Sequence, residues 1–196
     1  MNRRARLALR FGSGVLLALA VALTASAGWI HAKALVAQAL LQQAWDQSNH
    51  GQRAIKPWSW ADFAPLARLR LPSLDQSFIV LNKDSGQALA FGPGWSPSSA
   101  APASHGLTVI SAHRDTQFSA LAQLRQGDPI QIDAAAGHRA YRVRSMRVVD
   151  SHRTRIGSAD SRDALLLVTC YPFDAIVPGG PLRYVVEAVP MTPASP

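Results

Sequence analysis

Only one cysteine occurs among the 196 residues of the chain. A single cysteine excludes an internal disulfide and cannot by itself supply a thiolate zinc site. The formal net charge is +8, and half of it comes from four arginines in the first ten residues. The rest of the chain has no basic stripe with interleaved aromatic residues, so we expect no nucleic-acid binding.

The N-terminal part contains an uncharged apolar run. Residues 11–30 carry no charge, and a helix of that length spans about 30 Å, the thickness of the hydrocarbon core. We predict an uncleaved single-pass anchor over 11–30 in the inner (cytoplasmic) membrane. The basic segment 1–10 would stay in the cytoplasm, with the folded domain in the periplasm or outside the cell. A removable signal peptide is the alternative, because Thr24-Ala25-Ser26-Ala27 resembles a cleavage site.

The remaining boundaries follow from changes in composition. Residues 31–65 are predicted to form a stalk and linker, 66–190 the folded domain and 191–196 a tail. From residue 66 onward, short apolar segments alternate with turn residues, which is typical of strands. The predicted strands are 67–71, 77–82, 88–91, 107–112, 130–133, 139–149, 165–169 and 183–189. Residues 116–124 have helical spacing, and residues 151–163 are predicted to form a polar loop. Eight short strands with little helix predict an all-β fold with short helices, closed into a barrel.

The cysteine lies at the end of a predicted strand. An apolar run from Leu165 to Thr169 leads into Cys170, and Pro172 ends the strand. A strand end holds a side chain rigidly, as a nucleophile requires. A free cysteine is also commonly a small buried hydrophobic residue, so the choice depends on its partners.

Two further residues are candidate partners. His113 directly follows an apolar strand, at a strand-to-loop junction where catalytic groups are often found. Arg183 follows Cys170 by thirteen residues, and the intervening glycines and prolines let the chain double back. The two would then be cross-strand neighbours. The alternatives are a structural histidine and an outward-facing surface arginine.

These three side chains together describe acyl transfer. A cysteine is a strong nucleophile as a thiolate, and with an ordinary pKa of about 8.5 only a few per cent is ionised at pH 7. A histidine can act as its base and then protonate a departing amine. A guanidinium can stabilise the oxyanion that forms when a thiolate attacks a carbonyl. The product of that attack is a thioester.

Three motifs carry a family resemblance. They are Ser-Ala-His-Arg-Asp-Thr around His113, Leu-Val-Thr-Cys-Tyr-Pro-Phe around Cys170 and Pro-Leu-Arg-Tyr-Val-Val around Arg183. In this order and spacing the chain resembles the sortases, cysteine transpeptidases that anchor proteins at bacterial surfaces, over residues 66–189. Its compact form is similar to sortases of Gram-negative bacteria. It departs from the family pattern at Leu166 and Trp95, which leaves substrate selectivity open.

The resemblance implies a fold, a reaction and a set of site residues. The fold is the eight-stranded sortase barrel. Cys170 would be the nucleophile, His113 the general acid or base and Arg183 the residue that stabilises the oxyanion, while Ala112, Thr169 and Tyr171 would contact substrate. No cofactor is implied, and we expect no metal, because no acidic cluster resembles the calcium site of some sortases.

The implied substrate is a secreted protein with a C-terminal sorting signal of the Leu-Pro-x-Thr-Gly kind. Cleavage between Thr and Gly would leave the acyl group on Cys170 for transfer to an amine. One alternative is an inactive barrel that binds a partner's C-terminal tail. An L,D-transpeptidase is a weaker alternative, because the Ser-x-Gly-Cys stretch of that family is missing.

Overall fold

A closed barrel of eight strands forms most of the folded domain. The computed structural model describes residues 3–154, 162–175, 177 and 179–191. The strands are β1 (Pro65–Leu71), β2 (Gln76–Leu81), β3 (Gly94–Trp95), β4 (Leu107–Ser111), β5 (Pro129–Ala134), β6 (Gly137–Asp150), β7 (Ala164–Cys170) and β8 (Leu182–Pro190). The prediction of a closed eight-stranded barrel is confirmed.

The strand order around the barrel is β1-β2-β3-β4-β7-β8-β6-β5, and β5 pairs with β1 to close it. Two of the pairings, β2 with β3 and β4 with β7, are parallel. The others are antiparallel. β4 and β7 therefore run in the same direction, and their C-terminal ends lie at the same end of the barrel.

The apolar pattern of the strands explains the core. In β1, alternate residues Ala67, Leu69 and Leu71 are fully buried, as expected for a strand with one face toward the barrel interior. β7 is apolar from Ala164 to Val168, and both of its faces are covered there. Leu165 and Leu167 belong to the main core, whereas Leu166 and Val168 belong to a second buried cluster.

The chain forms two units, residues 1–39 and 40–196. Helix α1 comprises Arg3–Gln47, and its side chains from Leu16 to Leu23 are exposed. Within the part of the chain that the structure describes, no helix is both long and apolar enough to cross a membrane. The predicted transmembrane anchor over residues 11–30 is therefore not supported.

Residues 40–65 belong to the second unit. Leu41 and Trp45 of α1 pack in one buried cluster with Phe63 and with Leu81 of β2. The ring of Trp58 contacts Phe63 edge-on, with 5.5 Å between ring centroids. Part of the predicted stalk and linker is thus packed into the folded domain.

The third predicted strand, residues 88–91, is wrong. These residues overlap a short helix, α2 (Gly86–Leu89), and Ser85 caps its N-terminus by accepting a hydrogen bond from the backbone N–H of Ala88. A serine cap satisfies a backbone donor that would otherwise be left unpaired at the start of a helix. The barrel's third strand is instead the two-residue β3, which joins β2 to β4.

The predicted helix over 116–124 is a 3-10 helix, Gln117–Gln123, with a kink at Phe118. Phe118 and Leu121 are fully buried, so the spacing correctly identified an apolar face. Two sequence predictions fall partly outside the described residues. They are the loop predicted over 151–163, at residues 155–161, and the tail predicted over 191–196, at residues 192–196.

Candidate active site

Cys170 and Arg183 are directly opposite each other on neighbouring strands. Cys170 is the last residue of β7, is partly exposed and is unpaired with any other cysteine. The antiparallel register of β7 and β8 pairs it with Arg183. The pairing continues one residue further, where the Tyr171 N–H donates to the Leu182 carbonyl over 3.0 Å.

His113 follows the strand on the other side of β7. The parallel register pairs Ser111 of β4 with Val168 of β7, and the Ala112 N–H donates to the Val168 carbonyl over 3.2 Å. Continued by two residues, this register brings His113 level with Cys170. Adjacent strands are about 4.8 Å apart. His113 is exposed and is the second residue after β4, whereas Arg183 belongs to β8 on the other side of β7.

The three predicted substrate-contacting residues differ in exposure. Ala112 and Thr169 are 6% and 2% exposed, and the Thr169 hydroxyl donates to the Ala112 carbonyl over 2.8 Å. Tyr171 is partly exposed. Of the three, only Tyr171 offers side-chain surface at the mouth of the barrel, whereas Thr169 links the two strand ends.

The guanidinium of Arg183 binds to its own segment of chain. Its Nη1 donates to the Gly180 carbonyl over 2.6 Å and to the Leu182 carbonyl over 2.9 Å. An arginine side chain carries five N–H donors, so these two bonds do not use the donors on Nε and Nη2. The residue therefore keeps the capacity to bind an anionic oxygen.

Three aromatic rings from the ends of β7 and β8 pack against one another. Tyr171 stacks on Tyr184 with 6.2 Å between ring centroids, and Phe173 meets Tyr184 edge-on at 5.1 Å. Burial raises the pKa of the Tyr184 hydroxyl, and neighbouring Tyr171 raises it further. Tyr184 therefore stays neutral at physiological pH, and Phe173 and Tyr184 pack against the main core of the barrel.

Sequence reasoning missed the role of Arg114. Its side chain is buried, and its guanidinium donates to the carbonyls of Pro172 and Ala175 and to the carboxylate of Asp115. Arg114 follows His113 directly, and Pro172 comes two residues after Cys170. The only sequence signal was its position in the Ser-Ala-His-Arg-Asp-Thr motif, since neighbouring residues do not reveal that a charged side chain is buried.

The arrangement suits attack on an acyl group. A thiol has an imidazole-bearing segment on one side and a guanidinium-bearing strand on the other, all at one end of the barrel. Such a set can form a thiolate, protonate a leaving group and stabilise an oxyanion. Among the residues that the structure describes, no three His, Cys, Asp or Glu side chains come together as a metal site would require.

Known proteins resemble this chain in both sequence and fold. Sortase D of Bacillus subtilis (strain 168) is 29% identical over 119 residues, which is 60% of this chain and 60% of that protein. Sortase A from Corynebacterium diphtheriae superimposes with a TM-score of 0.60 and 22% identity, over 74% of this chain and 67% of that one. A Clostridium perfringens sortase D5 transpeptidase superimposes with a TM-score of 0.58 and 19% identity, over 66% of this chain and 80% of that one.

The matched structures show that the fold is shared. The narrower likeness to sortases of Gram-negative bacteria stays a prediction. The family model of the sortase domain matches residues 69–191, which is more than half of the chain and contains β2 to β8 with His113, Cys170 and Arg183. The chain therefore belongs to the sortase family.

Proposed function

We propose that this protein is a cysteine transpeptidase that cleaves a C-terminal sorting signal of the Leu-Pro-x-Thr-Gly kind between Thr and Gly. The observation that supports the proposal is the register of the strands that carry these residues: Cys170 of β7 pairs with Arg183 of β8, and His113 follows β4, whose last residue pairs with Val168 of β7. Membership of the sortase family supports it. The substrate would be a secreted protein that carries such a signal.

The first step forms the thioester. The Cys170 sulfur, as thiolate, bonds to the threonine carbonyl carbon, and the carbonyl oxygen becomes an oxyanion beside Arg183. The tetrahedral intermediate then collapses and the bond from carbon to the glycine nitrogen breaks. His113 gives its proton to that nitrogen, so the glycine fragment leaves as a neutral amine.

The second step regenerates the enzyme. The nitrogen of an acceptor amine bonds to the thioester carbon and gives up a proton to His113. The bond from carbon to sulfur breaks, and Cys170 returns to the thiolate. Water in place of the amine would give hydrolysis, so the products identify the acceptor that the enzyme prefers.

The thioester provides a direct test. The full chain is mixed with a peptide containing Leu-Pro-x-Thr-Gly, quenched in acid and examined by mass spectrometry. We expect the Cys170 fragment to gain the mass of the peptide up to threonine, and we expect Cys170→Ala to bind the peptide without an adduct. No adduct from folded protein with any signal variant would contradict the proposal and favour a barrel that only binds tails.

We also propose that the barrel works outside the cytoplasm. The secreted nature of the proposed substrates supports this location. Because Cys170 is the only cysteine, a membrane-impermeant maleimide can report it directly. We expect labelling in intact spheroplasts, whereas labelling only after lysis would place the barrel in the cytoplasm.

A further inference from the structure

Two chain segments leave the barrel side by side at the proposed active site. One is 112–115, after β4, and the other is 171–175, after β7. The main-chain pairing of β4 with β7 extends only to the bond from the Ala112 N–H to the Val168 carbonyl. His113 and Cys170 therefore lie just beyond the last main-chain bond that joins their strands.

Side-chain hydrogen bonds connect the two segments where that pairing ends. Before the two residues, the Thr169 hydroxyl donates to the Ala112 carbonyl. After them, Arg114 reaches across, with Nη1 2.8 Å from the Pro172 carbonyl oxygen and Nη2 2.6 Å from that of Ala175. In the sequence, His113 and Cys170 thus come between two links: one from Thr169 at the end of β7 to Ala112, and one from Arg114 to the segment 171–175.

The surroundings of Arg114 require an arginine for this link. Its side chain is only 6% exposed, and its Nε donates to the Asp115 carboxylate over 3.1 Å. Burial of a guanidinium destabilises the fold unless its donors are hydrogen-bonded. Here the planar guanidinium donates to two carbonyls at once. A lysine offers a compact point charge and cannot reproduce this bidentate geometry.

We infer that Arg114 is a positioning residue, which fixes the imidazole of His113 against the Cys170 sulfur by clamping the segment after the cysteine to the segment after the histidine. The inference rests on the proposed function, in which these two groups exchange a proton. Displacement by about 1 Å of groups that must react together costs on the order of 100-fold in rate. Loss of the clamp should therefore affect chemistry more than peptide binding.

A purely structural anchor would behave differently. It would lower the unfolding temperature, yet the molecules that remain folded would keep the wild-type turnover number and thiol reactivity. A positioning residue changes the folded enzyme itself. The two roles are separated by kcat per folded molecule and by the rate of Cys170 alkylation, which follows the thiolate fraction.

The experiment compares full-length Arg114→Gln and Arg114→Lys with the wild type and with His113→Ala. Arg142→Gln is the matched control, because the exposed Arg142 donates one hydrogen bond to the Gly127 carbonyl. Each protein is assayed at a temperature where circular dichroism shows it folded. The readouts are kcat and KM for a Leu-Pro-x-Thr-Gly peptide, and iodoacetamide alkylation of Cys170 between about pH 6 and pH 9.

We expect kcat of both Arg114 variants to fall by on the order of 10- to 100-fold while KM changes less than about threefold. Their alkylation profiles should move toward that of His113→Ala, and Arg142→Gln should match the wild type. Wild-type kcat and alkylation in either folded Arg114 variant would overturn the inference. A wild type that cleaves no peptide would count against the proposed function, and the alkylation profiles would still decide the role of Arg114.

Discussion

The hydrogen bond from Thr169 to Ala112 provides a sharp test of how the two strand ends are held together. The Thr169 hydroxyl lies 2.8 Å from the Ala112 carbonyl oxygen, and both residues are buried. Thr169→Val keeps the branched shape of the side chain and replaces the hydroxyl with a methyl group. The variant therefore removes the hydroxyl donor and leaves the buried Ala112 carbonyl without this hydrogen bond.

The size of the effect follows from that geometry. Leaving a buried acceptor without its donor costs about 1–3 kcal/mol, and burial of the added methyl group offsets part of it, so we expect about 1–2 kcal/mol. In a unit of this size, each kcal/mol lowers Tm by about 2–4 °C. Thr169→Val should therefore unfold about 2–8 °C below the wild type.

Thermal unfolding followed by circular dichroism measures this difference. Thr116→Val is the matched control, because Thr116 is exposed and its hydroxyl bonds only to the neighbouring side chain of Gln117. The control should change the free energy of unfolding by less than about 0.5 kcal/mol. An unchanged Tm for Thr169→Val, or an equal loss in the control, would refute the assignment of this bond as a link between the strand ends.

Three further predictions concern other parts of the barrel. Arg183→Gln should lower kcat by about 10²- to 10³-fold at saturating peptide, and an unchanged kcat would remove Arg183 from the oxyanion role. Burial alone would raise the pKa of Asp163, but hydrogen bonds from Arg139 and His105 outweigh burial, and the pKa is lowered. The ionised carboxylate therefore stabilises the fold at pH values above its unfolded pKa, which is near 4. This stabilisation is lost as the pH falls through the lower pKa of the folded state. Asp163→Asn should therefore lower Tm at pH 7 but by much less at about pH 3, and equal losses in melts at both pH values would contradict this. Gly94→Ala would push a methyl group against the backbone of Lys83 and Asp84. The variant should lower the free energy of unfolding, measured with denaturant, by about 1–3 kcal/mol. Wild-type stability would show that the backbone at Lys83 and Asp84 moves to make room for the methyl group.

The barrel strands were predictable where one face alone is buried or the apolar run is long. β1 alternates between buried and half-buried residues along its length, which is the pattern that the period of a strand imposes. The error at residues 88–91 has a local cause. The apolar residues there are typical of a strand, but Ser85 caps the start of a helical turn. The strand that the barrel uses instead, β3, has only two residues and is too short to show a periodic pattern.

The composition of the candidate site was predictable, but its assembly was not. Cys170 and Arg183 could be expected to meet because one loop, in which the chain reverses direction, connects their strands. The approach of His113 depends on the parallel pairing of β4 with β7, which are more than fifty residues apart in the chain. Such a pairing is decided by tertiary packing, and no local pattern encodes it. Only the motif resemblance indicated it in advance.

The three proposed catalytic residues differ in how they are held, and this bears on when each would act. The residues next to His113 and Cys170 are linked across the two strand ends by Thr169 and Arg114, and these links exist without substrate. The Arg183 guanidinium instead binds the neutral carbonyls of Gly180 and Leu182. A charged oxyanion is a stronger acceptor for a guanidinium than a neutral carbonyl, so Arg183 gains most by turning to the substrate oxygen once negative charge develops there. An interaction that strengthens only as the transition state is approached accelerates the chemical step rather than tightening substrate binding.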